Sequence, residues 1–263
     1  MKPYLLALPI EVVGLPFRRA LGEATKLGVS GIQIDAVGEL TPATLTDTGR
    51  RELRTLVRSY NLEVSAVRCP LRRGLDSATD LEPRLDRICQ AMALATDLGT
   101  NRVIVPLPKI AADQDSPIAI TSREAIAHLT RHADRIGTLL CFEPGFDPGD
   151  KVSDYLASFD AGSLCVNFDP ANLLMNGFDP LKALTQLAER IVYTHARDGR
   201  VSTVSGGPQE VPVGAGDIDW IVYLATLEAI SYRGYLCVER ETGDSRFADI
   251  ASGIRFLRRF IAS

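Results

Sequence analysis

Leu164-Cys165-Val166-Asn167-Phe168-Asp169-Pro170 is an apolar, β-rich run that closes on a carboxylate and breaks into a proline. Asp169 is followed 26 residues later by His195, which ends the run Ile191-Val192-Tyr193-Thr194-His195. It is preceded by 26 residues by Glu143, which ends Leu139-Leu140-Cys141-Phe142-Glu143. Runs of about five residues, apolar throughout, suit strands buried on both faces, as in a parallel sheet covered by helices. A repeat of this length is one strand plus one helix, so these segments predict consecutive β/α units.

Working outward, the same alternation covers the chain. Further strands are expected at Tyr4–Leu8, Gly31–Asp35, Glu63–Val67, Arg102–Val105 and Tyr235–Glu239, with the three runs above beginning at Thr138, Leu164 and Ile191. Helical periodicity follows at Pro16–Leu27, Leu45–Tyr60, Leu81–Leu98, Arg123–Ile136, Leu181–Arg190, Trp220–Ile230 and Phe247–Ile261. Glycine marks several helix–strand joints, at Gly28, Gly99 and Gly234. Eight β/α units in 263 residues predict a single-domain (β/α)8 TIM barrel over residues 1–263, a fold that typically needs about 250. No linker splits the chain. The longest irregular stretch, Arg197–Gly216, is long enough to suggest a function.

Composition narrows the classes. The chain is 46% hydrophobic and 24% charged with a net charge of −4, which disfavours a nucleic-acid partner. Arg68, Arg72 and Arg73 could meet a small anion, whereas Arg255, Arg258 and Arg259 are spaced as the solvated face of a terminal helix. The five cysteines include no CxxC pair, so neither a disulfide framework nor a thiolate zinc site is expected, and a reducing, cytoplasmic setting fits. The N-terminus reads as too short for a signal peptide, and no run is long enough to cross a membrane. A dinucleotide fingerprint, a Walker A motif and a G-x-S-x-G elbow are all missing.

The chemistry lies at the strand ends. Glu143, Asp169, His195 and Glu239 each close a strand, and in a barrel these ends form the catalytic face. Equal spacing is expected to hold the first three at one height. Three carboxylates and an imidazole form a hard, oxygen-rich site for one divalent ion: Mn²⁺, Mg²⁺, Co²⁺ or Fe²⁺ would fit, with Zn²⁺ possible. Such a site would polarise a carbonyl and stabilise the enediolate left when a neighbouring carbon loses its proton to a glutamate. Each residue also has a plainer reading: Asp169 as a helix N-cap before Pro170, Glu143 as a turn entry, His195 as a core histidine, Glu239 within a surface charge run. His128 and His132 share a helix face without the glutamate of a zinc-peptidase motif and read as surface residues.

Asn167-Phe168-Asp169-Pro170-Ala171-Asn172, Thr194-His195-Ala196-Arg197-Asp198 and Val213-Gly214-Ala215-Gly216-Asp217-Ile218-Asp219-Trp220, with the four strand-end residues, resemble the xylose isomerase-like sugar isomerase/epimerase superfamily. The resemblance runs over the whole chain and is not specific to one substrate. It implies a Mn²⁺-type ion on Glu143, Asp169, His195 and Glu239, with Glu143 and Glu239 also moving protons on opposite faces of a sugar. Two positions depart from the family pattern. Asn172 stands where many epimerases carry a substrate-contacting histidine, and Arg197 replaces a lysine. Both are expected to contact substrate, although Arg197 could equally pair with a neighbouring acid.

The expected function is metal-dependent isomerisation or epimerisation of a sugar or keto-sugar. The alternative is a lyase or dehydratase acting on 3-keto-glycosides or inososes with the same site. A nuclease like endonuclease IV is disfavoured by the shortage of histidines, and a non-catalytic sugar-binding barrel is the remaining contrast. A homo-oligomer is left open.

Overall fold

A computed structural model describes residues 4–201 and 206–261. Eight parallel strands close a barrel: β1 (Leu5–Pro9), β2 (Gly31–Asp35), β3 (Glu63–Arg68), β4 (Arg102–Pro106), β5 (Leu139–Glu143), β6 (Leu164–Phe168), β7 (Ile191–Ala196) and, after a small hairpin, β10 (Tyr235–Val238), which pairs with β7 on one side and β1 on the other. The hairpin strands are β8 (Asp198–Arg200) and β9 (Gln209–Val211), antiparallel to each other.

The helices are α1 (Phe17–Lys26), α2 (Asp47–Ser59), α3 (Leu81–Leu98), α4 (Pro117–Ile136), α5 (Gly149–Ala157), α6 (Pro170–Met175), α7 (Pro180–Gln186), α8 (Trp220–Ala229) and α9 (Arg246–Ile261). The expected barrel is therefore present. Helices α5 and α6 lie between the helical segments named above; α6 starts where Asp169 was read as an N-cap before Pro170, its carboxylate accepting from the Asn172 amide. Helix α4 begins six residues earlier than expected, where the Ser116 hydroxyl accepts from the Ala119 amide and Pro117 takes the first turn. Gly99 ends α3 at φ +88°, a conformation that carries almost no penalty only for glycine.

Each strand alternates between two cores. Leu140, Phe142, Val166 and Phe168 face the helices, while Cys141, Cys165, Tyr193 and Cys237 join Ala7, Ala66 and Ile104 inside the barrel. Three of the five cysteines therefore pack as small apolar side chains, and all five are free thiols. The inner layer is the floor beneath the strand ends. No helix among the described residues is long and apolar enough to cross a membrane.

One expectation changes. The register pairs Phe142 with Val166, which carries Glu143 level with Asn167 rather than Asp169. Across the next pair Asn167 aligns with Tyr193, which brings Asp169 level with His195. A register shift between Val166 and Asn167 accompanies this step. Equal spacing in sequence is thus equal height for Asp169 and His195 only. Barrel closure requires neighbouring strands to stagger, and the longer glutamate side chain spans the difference.

Candidate metal centre

The strand-end residues meet at the C-terminal mouth. Glu143 is the last residue of β5, Asp169 follows β6, His195 lies in β7 and Glu239 follows β10. Atoms of Glu143, Asp169 and His195 that could bind a metal all lie within 4.8 Å of one another. His195 Nδ1 is the centre of the set: it sits 2.9 Å from Glu143 Oε2, 3.8 Å from Asp169 Oδ2 and 3.0 Å from Glu239 Oε2. Glu239 therefore reaches the imidazole, although it stands outside the tighter three-residue group.

The other face of the imidazole is committed. His195 Nε2 lies 2.8 Å from Gln33 Oε1, so Nε2 donates to Gln33 and Nδ1 is the nitrogen turned toward the carboxylates. Asn167 Nδ2 donates to Glu143 Oε2 (2.6 Å) and Asn172 Nδ2 donates to Glu143 Oε1 (2.9 Å), which orients that carboxylate. Asp169 divides its two oxygens. Oδ1 accepts from the Asn172 amide at the start of α6, and Oδ2 accepts from Arg197 Nη1 at 2.7 Å while facing His195. The capping and site readings of Asp169 are therefore compatible.

Charge follows this geometry. Burial works to lower the His195 imidazole, but Glu239 and Glu143 outweigh it and raise its pKa to about 10. Burial works against ionisation of Asp169 as well, but Arg197 and then His195 prevail and hold it at about 2. Glu143 also lies below the ordinary value, because His195 overcomes its burial. Glu239 goes the other way: burial outweighs His195 and Arg68 and raises it. In the metal-free protein a proton on His195 thus compensates carboxylates that otherwise face one another.

A divalent cation fits the same donors. The four side chains offer carboxylate oxygens and one imidazole nitrogen, the mixture that suits hard or borderline divalent ions. Glu239 Oε2 is buried and accepts no hydrogen bond, its charge being offset by the His195 imidazole 3.0 Å away; a cation held by the same side chains would take over that compensation.

Arg197 is almost fully buried, and the chain's own acceptors occupy it: Asp169, Glu210 and Glu241 through ion pairs of 2.7, 3.1 and 3.0 Å, and Asn172 Oδ1 at 3.1 Å. His128 and His132 lie on α4, away from this set, with His132 Nδ1 beside Arg135. Sequence reading did not single out Gln33, Asn167 or Glu210. Asn167 carried a usable signal, since it shares strand parity with Asp169. Gln33 and Glu210 become partners only when β2 and the hairpin close on the site.

A family profile described as xylose isomerase-like TIM barrel matches residues 21–260. The chain belongs to this family. Among solved xylose isomerase-like and related barrels, a xylose isomerase domain protein from Planctomyces limnophilus superposes with a TM-score of 0.85 at 23% identity, covering 99% of each chain. A D-tagatose 3-epimerase-like protein gives 0.80 at 18% identity over 100% of this chain and 97% of its own. A xylose isomerase-like barrel from Mycobacterium smegmatis, in complex with magnesium, gives 0.75 at 17% identity over 98% and 96%. These likenesses are of fold. No curated protein matches the chain.

Proposed function

We propose that this protein is a divalent-metal-dependent isomerase or epimerase of a sugar or keto-sugar, with Glu143, Asp169, His195 and Glu239 as metal ligands. The observation that carries this reading is the convergence of three carboxylates on His195 Nδ1. Family membership and the epimerase-like neighbour agree with it. Mn²⁺ is the first choice of ion, and the magnesium complex of one neighbour makes Mg²⁺ the second. Bound there, the cation would supply Lewis-acid polarisation of a substrate carbonyl.

The chain's own residues do the rest. Glu239 has one oxygen that accepts no hydrogen bond and faces His195, and a pKa raised by burial, which suits a group that takes a proton from carbon and returns it. Glu143 is held as a carboxylate between two side-chain amides, and in this reading it moves a proton on the opposite face of the sugar. Gln33 keeps His195 in one tautomer. Asn172 hydrogen-bonds a substrate hydroxyl when its amide turns from Glu143.

The test is solvent deuterium exchange with Mn²⁺ present, across ketoses, inososes and 3-keto-glycosides. Exchange at the carbon beside the carbonyl is expected, and Glu239→Gln should lower it by at least about 100-fold while metal content is retained. Undiminished exchange in that variant overturns the mechanism. Exchange accompanied by expulsion of a substrate group would assign the lyase reading instead.

A further inference from the structure

Two arginines flank the site, and one exposed carboxylate joins them. Arg68 grips Asp35 with two hydrogen bonds of 2.8 Å, and its remaining nitrogen, Nη1, lies 3.3 Å from Glu239 Oε1 and 3.1 Å from Glu241 Oε1. Arg197 holds Asp169 and Glu210, and its remaining nitrogen, Nη2, lies 3.0 Å from Glu241 Oε2. The two oxygens of Glu241 are thus divided between two guanidinium groups. Each of those groups also touches a candidate metal ligand.

Glu241 differs from the other acids in this network. Its side chain is 43% exposed, whereas Asp169 and Glu210 are almost completely buried. Its backbone is held independently: the Glu241 amide donates to Glu210 Oε1, and the Thr242 amide and hydroxyl donate to Glu210 Oε2. The side chain can therefore swing out while the loop stays in place. Because Arg197 is buried, its Nη2 needs an anionic partner, and an incoming carboxylate would replace Glu241 in that role. Beside it lies a cavity of about 280 Å³, lined in part by Arg68, Glu239 and Glu241.

We propose that Arg68 Nη1 and Arg197 Nη2 form a carboxylate-binding subsite, filled in this structure by Glu241, and that the substrate is a hydroxy-keto acid whose carboxylate displaces that side chain. The inference deepens the isomerase reading above and rests on it for the site of reaction. Paired guanidinium donors match the two oxygens of a carboxylate. The subsite is one guanidinium group away from Glu239 and Asp169, so the acid group must be attached close to the reacting carbonyl. A phosphate at the far end of a hexose is too distant for that position.

Calorimetric titration of the Mn²⁺-loaded protein with 2-keto-D-gluconate and D-fructose tests this directly, because the two differ only at C1. The keto acid is expected to bind at least tenfold more tightly. Glu241→Ala should widen the preference for the keto acid over D-fructose by a further threefold or more, with tighter keto-acid binding, while Glu241→Gln should give an intermediate result. Equal binding of the two sugars, or weaker keto-acid binding in Glu241→Ala, overturns the subsite. Binding of D-fructose 6-phosphate as tight as that of the keto acid overturns the assignment to a carboxylate. Deuterium exchange on the same compounds separates the two claims. Exchange in neutral ketoses without keto-acid binding removes the subsite and keeps the isomerase, whereas keto-acid binding without exchange does the reverse.

Discussion

At the scale of single residues, the centre is a set of opposed charges whose titration can be read out. Asp169 in the folded chain lies at about 2, below its ordinary value of 3.8. A depressed acid stabilises the fold fully above its unfolded value and loses that contribution as pH falls through the folded one. Chelator-treated protein should therefore lose about 2 kcal/mol between roughly pH 4 and pH 2 from this group. His195 has the opposite sign. Its folded value of about 10 exceeds the ordinary 6.5, so its contribution is complete below about pH 6.5 and fades as pH rises through about 10. Urea unfolding of metal-free Asp169→Asn should show a flatter acid limb than the parent, and an unchanged limb would remove Asp169 from the network. Glu143, Asp169, His195 and Glu239 were legible in the sequence because each ends an apolar run. Gln33 was not, since a polar residue inside a strand has no partner until β7 is placed three strands away, across β1 and β10, where His195 reaches it.

At the scale of elements, the connection after β7 is organised by one carboxylate. Asp198 Oδ1 accepts from the amides of Gly199 and Ile218, and Oδ2 accepts from the amides of Gly214 and Gly216 and from Trp220 Nε1. The sequence shows a long irregular stretch with a glycine-rich end. The structure makes it the β8–β9 hairpin and a turn wrapped around Asp198, with residues 202–205 outside the described set. The motif Val213–Trp220 was recognisable as family pattern, but its physical role depends on donors from distant positions meeting one side chain. A methyl group at Gly216 would collide with Asp198 Oδ1 and with the Gly199 carbonyl. Gly216→Ala should thus cost about 1–3 kcal/mol and, by loosening the hairpin that carries Glu210, disturb the partners of Arg197 and Glu241. Chemical denaturation measures the first effect, and wild-type stability in this variant would contradict the packing described. The spacing between strands teaches a related lesson. Twenty-six residues twice over announced the β/α repeat, yet the stagger of a closed barrel, invisible in sequence distance, sets which side chains are level.

For the whole molecule, the barrel supplies a rigid floor and a ring of anchor points. Alternation along each strand builds the two cores, and the same alternation delivers Glu143, Asp169 and His195 to the inside of the mouth. The barrel itself was legible because strand and helix patterns repeat over the full length. The ionic network above it was not, because Arg68, Glu210 and Glu241 come from β3, β9 and the segment after β10 and meet only when the ring is closed. A cation bound by four strands favours the folded chain alone. Mn²⁺ at 100 times its dissociation constant should stabilise the protein by about 2.7 kcal/mol, seen as a rise in Tm that His195→Ala abolishes. The most direct measurement is calorimetric titration of metal-free protein with Mn²⁺, run beside His195→Ala. The proposed metal site predicts about one ion per chain in the parent and no specific binding in the variant, where the imidazole at the centre of the four-residue set is gone. No binding in the parent, or the same affinity and stoichiometry in both, would contradict the account.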